Sequence, residues 1–347
     1  MSSWSLSGCS VGYLLQAAHG QWQLLRARQP IARLIAAPDT DVELKRRLEL
    51  VHEVRDFATR ELALPDNQSY RSYSALGRPY VVWNVVAAPE FSIAPLRWCF
   101  PISGCVAYRG YFREANARRF AARLAQRGND TLVAGVSAYS TLGRFADPLL
   151  DTMLRYGDLE LVGTIFHELA HQLVYVKNDS EFNEAFAMSV ERAGVARWLA
   201  AHNRHGELAG YQQRQEQQAQ IVRLLGAGRA QLAELYGQAQ LPPRSPALQQ
   251  SIAALRARKQ AVIASTTAAV RDYELQQNLR SGYGAWLDTG LNNAHLASVA
   301  TYFDCVAGFE QLLAEQGGDF RAYYAAVRAL AHGPAASRRA WCTRLPP

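Results

Sequence analysis

The N-terminal part of the chain has apolar residues at helical intervals. Residues 11–36 and 40–63 place them three or four positions apart, which predicts two helices. Asp39 and Thr40 precede the second segment and are the candidates for its N-cap, because a short polar side chain there satisfies free backbone amides. The stretch LPDN at 64–67 ends the helical pattern.

The next part of the chain has the composition of β-strands. Segments 80–91, 104–112 and 130–140 are rich in β-branched and aromatic residues. A helical stretch at 113–130 lies between the second segment and the third. We therefore expect a small β-sheet with a crossover helix, just before the segment FHELAH at 166–171.

The remainder of the chain is helical and more polar. Two long helical patterns flank the break PPRSP at 242–246 and predict an antiparallel helical hairpin over 207–277. Further helices between residues 292 and 343 are expected to return to the body of the protein. Asn292 and Asn293 are expected to cap the first of these helices.

Composition limits the class of protein. The chain has 347 residues, of which 49% are hydrophobic, so it can bury the core of one large domain or of two ordinary ones. The formal net charge is +7, but the lysines and arginines are scattered along helical stretches and form no basic run. We therefore expect a solvated basic surface and no nucleic-acid partner. The chain has no run of about 18 apolar residues, so any membrane attachment is expected to be by lipid.

Cys9 closes the stretch LSGC, which resembles a bacterial lipobox, where the cysteine thiol receives a lipid. A chance cluster of small residues is the alternative, since a basic start and an apolar run do not precede it here. The lipobox interpretation predicts a periplasmic protein that is anchored to the outer membrane through lipid on Cys9.

The other four cysteines form no CxxC pair, which argues against a thiolate zinc site or a redox motif. Four cysteines suit two disulfides in an oxidising periplasm. We expect the pairs Cys99–Cys105 and Cys305–Cys342. Four buried free thiols are the alternative.

The motif HELAH carries the clearest chemistry. His167 and His171 are four positions apart, so a helix turns both imidazoles toward one ion. Glu168 lies about 100° around the helix from His167, beside the ion, where it suits a general base that takes a proton from the attacking water. This spacing predicts a Zn²⁺ site with peptidase chemistry.

A third ligand is expected on the helix that follows. Glu184 and Glu191 come 13 and 20 positions after His171, and the seven positions between them place both on one side of that helix. One is expected to bind the metal, and the other to orient a ligand histidine through its second ring nitrogen. The spacing leaves open which carboxylate has which role.

HELAHQ followed by NEAFAMSVE at 183–191 resembles the zinc aminopeptidases of the gluzincin clan, in which NEGFAxYxE follows HELAHQ. The resemblance implies that Glu184 is the third ligand and that Glu191 orients a ligand histidine. The loop between the two motifs is shorter here, and Glu191 stands at the spacing of thermolysin-like enzymes, so it remains the alternative ligand. The GAMEN substrate-binding stretch of those aminopeptidases is absent.

Dispersed stretches also resemble a family of predicted aminopeptidases from Gram-negative bacteria, many of which are lipoproteins. The resemblance covers nearly the whole chain and implies activity on peptide substrates. The stretches that carry it are SGCSVGYLLQAAHGQ, LALPDNQSY, VVWNVVAAPEF, WCFPISGCVAYRGYF, AYSTLGRFADPLL, FHELAHQ, FNEAFA and LNNAHL.

Zinc peptidases stabilise the oxyanion with the metal and a second donor, often a tyrosine or a histidine. Tyr139 precedes the metal helix and Tyr302 follows LNNAHL, so both are candidates for this catalytic role, and Tyr108 is a third. A packed core aromatic is the alternative for each of them.

Together, these features predict an α+β, zincin-like fold. It is mostly helical, with a small mixed β-sheet next to the metal-binding helix and a long helical hairpin. Residues 1–36 are expected to form an anchor segment with the first helix, 37–200 the catalytic core, and 201–347 a helical C-terminal region.

The expected function is that of a zinc-dependent peptidase, first an aminopeptidase and second an endopeptidase with an open cleft. A non-catalytic periplasmic lipoprotein, which binds an envelope partner and holds a structural metal, is the alternative from another class. Glu168 argues against it, because a structural zinc site needs no general base.

Overall fold

The structure is a computed structural model that describes residues 11–100, 104–138, 140–239, 246–299 and 305–342. Over these ranges the fold is α+β and mostly helical, with three small β-sheets. Cys9, Tyr139 and Tyr302 lie outside the described residues, so the roles predicted for them stay predictions.

None of the helices in the described ranges is long and apolar enough to cross a membrane. The helices are α1 (Val11–Arg26), α2 (Ile31–Ala36), α3 (Val42–Glu61), α4 (Glu114–Ala125), α5 (Asp158–Leu173), α6 (Ser180–Ala201), α7 (His205–Gly237), α8 (Pro246–Gln276), α9 (Gly284–Thr289), α10 (Asn293–Val299), α11 (Val306–Glu315), α12 (Phe320–His332) and α13 (Ala335–Cys342).

The strands are short. They form a mixed sheet in the order β1-β2-β8, an antiparallel sheet in the order β6-β3-β7, and the hairpin β4-β5. Their bounds are β1 (Gln29–Pro30), β2 (Ser72–Ser74), β3 (Val82–Pro89), β4 (Trp98–Phe100), β5 (Gly104–Val106), β6 (Arg109–Tyr111), β7 (Asn129–Val136) and β8 (Leu149–Leu150).

Strand β3 is apolar along nearly its whole length because both faces of its sheet are covered. Val85 and Ala87 pack toward α4, the crossover helix that joins β6 to β7. Val86 lies on the other face, with Leu132 and with Ala294 of α10. The small sheet with a crossover helix was expected, and the alternation of side chains along the strand explains why the segment 80–91 lacks a polar face.

The main core surrounds α5 and α6. Helix α3 packs against α5, and α11 packs against α6. Phe309 of α11 places its ring 5.1 Å from that of Phe182 and 5.9 Å from that of Phe186, both on α6. The C-terminal helices therefore return to the body of the protein, as expected.

The long hairpin consists of α7 and α8, which share a second apolar core. A buried ion pair fixes it to the end of the sheet. Lys259 of α8 contacts the Asp130 carboxylate at 2.6 Å and donates to the Glu90 carbonyl at 3.0 Å. The same carboxylate accepts from the Asn293 backbone amide at 2.9 Å. The Asp130 side chain therefore links strand β7 to both α8 and α10.

The beginning of the chain differs from the expectation. The helical stretch 11–36 is interrupted, since α1 ends at Arg26 and β1 precedes α2. The N-cap of α3 is Asp41, which accepts from the Leu44 amide at 2.9 Å. Thr40 does not cap this helix, because its hydroxyl donates to the Leu34 carbonyl at 2.6 Å.

The two disulfides have the expected pairing. Cys99–Cys105 closes the β4-β5 hairpin, and Cys305–Cys342 joins the start of α11 to the end of α13. The segment 104–112 is two strands rather than one, because β5 turns back onto β4 while β6 pairs with β3.

Asn292 caps α10 as expected. Its Oδ1 accepts from the amide of Ala294 at 2.9 Å and from that of His295 at 3.3 Å. Asn293 is the first residue of the helix and does not cap it. Its side chain donates instead to the carbonyls of Pro89 and Glu90, at 3.0 and 2.9 Å.

The Lys259–Asp130 contact gives a stability prediction. Asp130→Asn keeps the shape but leaves the Lys259 ammonium, whose side chain is 5% exposed, without its counter-charge. We expect the free energy of unfolding to fall by about 3 kcal/mol. Adding Lys259→Met to that variant should restore most of the loss, because no buried charge then remains unpaired.

Urea unfolding followed by circular dichroism measures both effects. Asp288→Asn is the control, since it removes the carboxylate that contacts Arg271 elsewhere on α8, where the two side chains are 69% and 40% exposed. Its effect should stay below about 1 kcal/mol. A loss no larger than this control's would show that the buried pair does not hold the hairpin.

Candidate metal centre

Helix α5 is buried on its apolar side, and this fixes the direction of its two histidines. Ile165, Phe166 and Leu169 are fully buried in the main core. His167 and His171 lie one turn apart on another side of the helix, facing α6. The helical periodicity therefore brings both imidazoles to the surface that α6 covers.

Three donor atoms converge between α5 and α6. The Nε2 atoms of His167 and His171 lie 3.2 Å apart. The Glu184 carboxylate places Oε2 3.3 Å from Nε2 of His167, and Oε1 3.7 Å from Nε2 of His171. Ligands of a tetrahedral Zn²⁺ with bonds of roughly 2.0–2.1 Å lie roughly 3.3–3.4 Å apart, so these separations fit such an ion.

The cluster contains three donors of the His, Cys, Asp or Glu type in the described part of the chain. The side chains of His167, His171 and Glu184 are 17%, 8% and 26% exposed, so the cluster is largely buried. Catalytic zinc sites have three protein ligands, whereas structural sites have four, so the number of donors corresponds to the former.

Glu191 lies behind His167, on the far side of the ring from the cluster. Its Oε2 is 3.1 Å from Nδ1 of His167, so a carboxylate fixes the ring whose other nitrogen faces Glu184. Gly163 makes room for it, because a Cβ at this position would come within 3.1 Å of Glu191. This is the placement that the predicted roles of Glu184 and Glu191 require, and the roles themselves stay predictions.

Glu168 is the acidic residue of the motif, and it is not one of the three clustered donors. Burial raises its pKa to about 7, with His167 opposing the shift and Glu184 adding to it. A carboxyl group with a pKa near neutrality can both accept and return a proton at physiological pH. The expected general base therefore has suitable acidity.

The two histidines differ in their electrostatic surroundings. Burial lowers the pKa of His171 to about 4, which favours the neutral imidazole that a metal binds. Burial also acts to lower the pKa of His167, but its hydrogen bonds with Glu184 and Glu191 outweigh burial and raise the pKa well above its usual value. The two carboxylates therefore stabilise the protonated, positively charged form of His167.

The loop 174–179, which joins the two helices, is held by side-chain hydrogen bonds. Asn183 accepts from the Val176 amide at 2.7 Å and donates to the Val176 carbonyl at 2.8 Å. Asn178 adopts a left-handed conformation with φ 67°, and its Oδ1 accepts from the Cys105 amide at 2.6 Å. The disulfide-closed β4-β5 hairpin therefore contacts the loop directly.

The second disulfide-closed segment contacts the same loop. Asp179 caps α6 by accepting from the Phe182 amide at 3.4 Å, and its other oxygen accepts from Nε of Arg338 at 2.7 Å. Arg338 lies on α13, which Cys342 joins to Cys305. Both disulfides thus support the short connection that sets α6, and Glu184 with it, against α5.

Two tyrosines near the cluster were missed by the sequence analysis. The Tyr175 ring lies 6.5 Å from the His171 ring, and its pKa is raised by burial and by the charge of Glu184. Tyr70 is 1% exposed, has a left-handed φ of 60°, and its pKa is raised by burial and by Glu168. Neither has a sequence signal, because each lies in a loop without periodicity.

The loop that carries Tyr70 is hydrogen-bonded to α5. Asn67 donates to Oε1 of Gln172 at 2.7 Å, and Gln172 donates to the Ser69 hydroxyl at 3.3 Å. The Tyr70 amide donates to the Asp147 carbonyl at 2.7 Å. Gln172, the residue after His171, therefore ties this loop to α5. Tyr108, the third predicted tyrosine, lies between β5 and β6 and is 41% exposed.

The chain was compared with known proteins. A family model described as "Putative aminopeptidase" matches residues 12–342, a span that runs from α1 to α13 and includes every residue of the cluster. No curated protein and no solved structure matches the chain.

The different positions of Glu184 and Glu191 predict different effects on metal binding. Glu191→Gln should lower the affinity for Zn²⁺ by about 10–100-fold, because it weakens the contact that orients His167. Glu184→Ala should lower it further, since a ligand is lost. Competition with a chromophoric chelator measures both affinities.

Glu53→Gln is the matched control. It alters another carboxylate–histidine contact, between Glu53 and Nε2 of His202 at 2.8 Å, outside the cluster. The affinity for Zn²⁺ should not change in this variant. A larger loss for Glu191→Gln than for Glu184→Ala would make Glu191 the third ligand.

Proposed function

The chain belongs to this aminopeptidase family, and we propose that it is a zinc-dependent aminopeptidase with a zincin-like core. Membership supports peptidase activity in general. The observation that carries the zinc-dependent mechanism is the convergence of two imidazole nitrogens and one carboxylate, with Glu168 next to them in sequence and outside the ligand set.

In this proposal His167, His171 and Glu184 hold Zn²⁺, and Glu191 keeps the His167 ring in its orientation. Bound Zn²⁺ would supply Lewis-acid chemistry, polarising the substrate carbonyl and making water more acidic. Glu168 takes the proton from the attacking water and later delivers it to the leaving amine. Its pKa of about 7 supports both transfers.

We assign the second stabiliser of the oxyanion to Tyr175. It is half-buried, its ring lies 6.5 Å from the His171 ring, and the charge of Glu184 raises its pKa, so the residue lies next to the proposed ligands. A phenol whose pKa is raised keeps its proton and can donate a hydrogen bond to a developing negative charge. Tyr139 and Tyr302 remain predicted catalytic residues outside the described ranges.

We also propose that the protein works in the periplasm, anchored to the outer membrane through lipid on Cys9. The two disulfides support an oxidising compartment. The lipobox-like stretch LSGC supports the anchor.

Glu168→Gln separates catalysis from metal binding. The variant should retain Zn²⁺ with unchanged stoichiometry, while kcat/KM for peptide hydrolysis should fall by about 10²–10⁴-fold, because the proton acceptor is lost. Metal content by atomic spectroscopy and hydrolysis of a peptide library provide the two readings. Unchanged hydrolysis would remove Glu168 from the mechanism.

The same library distinguishes the modes of cleavage. An aminopeptidase should cleave peptides with a free amino terminus and not their N-acetylated forms. Equal cleavage of both forms would indicate an endopeptidase with an open cleft. No cleavage of any peptide by the zinc-loaded wild-type chain would favour the non-catalytic binding protein.

Tyr175→Phe tests the assignment of the oxyanion donor. We expect kcat to fall by about 10²–10³-fold with KM little changed, because the hydrogen bond forms mainly in the transition state. Tyr156→Phe is the control, since that hydroxyl bonds Ser137 at 2.8 Å on an exposed surface. Similar kinetics for the two variants would rule out Tyr175.

A further inference from the structure

One face of helix α1 is fixed to the protein. Gln16 accepts from the Phe112 amide at 3.2 Å and donates to the Gly110 carbonyl at 3.4 Å, at strand β6. Gly20 lies against the Phe112 ring, and Leu24 is 2% exposed. These residues recur every four positions, so they define the buried side of the helix and prevent it from rotating.

The opposite face of α1 presents large apolar side chains to solvent. Leu15 is 64% exposed, Trp22 is 52% exposed and Leu14 is 47% exposed. Leu15 and Trp22 are seven positions apart, so they lie two turns apart on one side of the helix. Of the nine exposed large hydrophobic residues in the described ranges, these three belong to one helix of 16 residues.

Trp22 is held in its outward position. The His19 ring stacks against it with centroids 6.1 Å apart, and the Arg26 guanidinium lies 5.0 Å from the indole ring. The Trp22 indole is therefore an apolar ring with polar or cationic neighbours. Tryptophan in this setting is typical of the interface between lipid headgroups and acyl chains.

The charged residues that are close to α1 in sequence have a single sign. Arg26, Arg28 and Arg33 are exposed, and Asp39 is the first acidic residue of the chain. The apolar side chains of α1 are therefore accompanied in sequence by cations alone. A helix with leucine and tryptophan on one side, Arg26 over the tryptophan and further arginines following in sequence has the composition of a membrane-surface helix.

We propose that the exposed face of α1, formed by Leu14, Leu15 and Trp22 with Arg26, docks on the surface of an anionic phospholipid bilayer. The apolar side chains would enter the headgroup region, while the arginines contact lipid phosphates. Cys9 is two positions before the first residue of α1, so a lipid at that position would hold the same end of the helix at the membrane. The proposal does not depend on metal binding or peptidase activity.

The experiment uses the full chain with Cys9→Ser, so that no lipid contributes, and co-sedimentation with vesicles of phosphatidylglycerol and phosphatidylethanolamine. We expect this protein to bind the vesicles. Adding Leu15→Glu and Trp22→Glu should lower the partition coefficient by at least about tenfold, because two apolar contacts are lost and two like charges face the lipid. Neutral phosphatidylcholine vesicles and high salt should weaken binding as well.

Val42→Glu and Leu275→Glu are matched controls, since these side chains are 84% and 78% exposed on other helices. They should bind vesicles like the parent. Relative to the Cys9→Ser parent, thermal unfolding and Zn²⁺ binding should be unchanged in these variants, because the substituted side chains on α1, α3 and α8 are exposed and none of them belongs to the cluster.

Three results would overturn the proposal. One is the absence of vesicle binding by the parent protein. Another is equal binding by the α1 variant and the controls. The third is a concentration-dependent dimer that the α1 substitutions abolish while vesicle binding persists, which would make this face a contact between two copies of the chain.

Discussion

The close approach of His167, His171 and Glu184 is the interaction on which the rest of the site depends. Two imidazole nitrogens 3.2 Å apart, beside a carboxylate, direct their lone pairs into one small volume. Such an arrangement is stable only when a proton or a cation lies among the donors. Contacts with Glu184 and Glu191 raise the pKa of His167, which shows that its surroundings also favour a positive charge.

The connection between α5 and α6 determines how closely these donors approach one another. Glu184 comes five positions after Asp179, the cap of α6, so a shift at the cap would move the carboxylate directly. The cap is bonded to Arg338, and the preceding Asn178 is bonded to the amide of Cys105. Each partner belongs to a segment that a disulfide closes, so the covalent cross-links support the ligand geometry although neither lies in the cluster.

Local patterns predicted the parts of this arrangement that local forces determine. The HELAH helix, the α7–α8 hairpin and the apolar strand β3 follow from periodicity, and the α+β class follows from their order. The failures arise where distant residues meet. Asp41 replaces Asp39 and Thr40 as the cap of α3, since the Thr40 hydroxyl bonds the Leu34 carbonyl of α2, and Tyr175 lies in a loop without periodicity. Spacing could not separate Glu184 from Glu191, since both face α5; Glu184 reaches Nε2 of both histidines, whereas Glu191 reaches Nδ1 of His167.

Glu184 and Glu168 have the same side chain but opposite pKa shifts, because their surroundings differ. Burial raises the pKa of Glu184, but His171 and His167 outweigh it and leave the pKa below its usual value, so this carboxyl stays ionised as a ligand must. Burial dominates at Glu168 and raises its pKa to about 7, as a proton carrier requires. The motif places Glu168 about 100° around the helix from His167. The helical geometry that brings the two histidines together therefore leaves Glu168 without the contacts with both histidines that lower the pKa of Glu184. The proposed ligand and the proposed base are both glutamates, so their position on α5 and α6 distinguishes them and residue type does not.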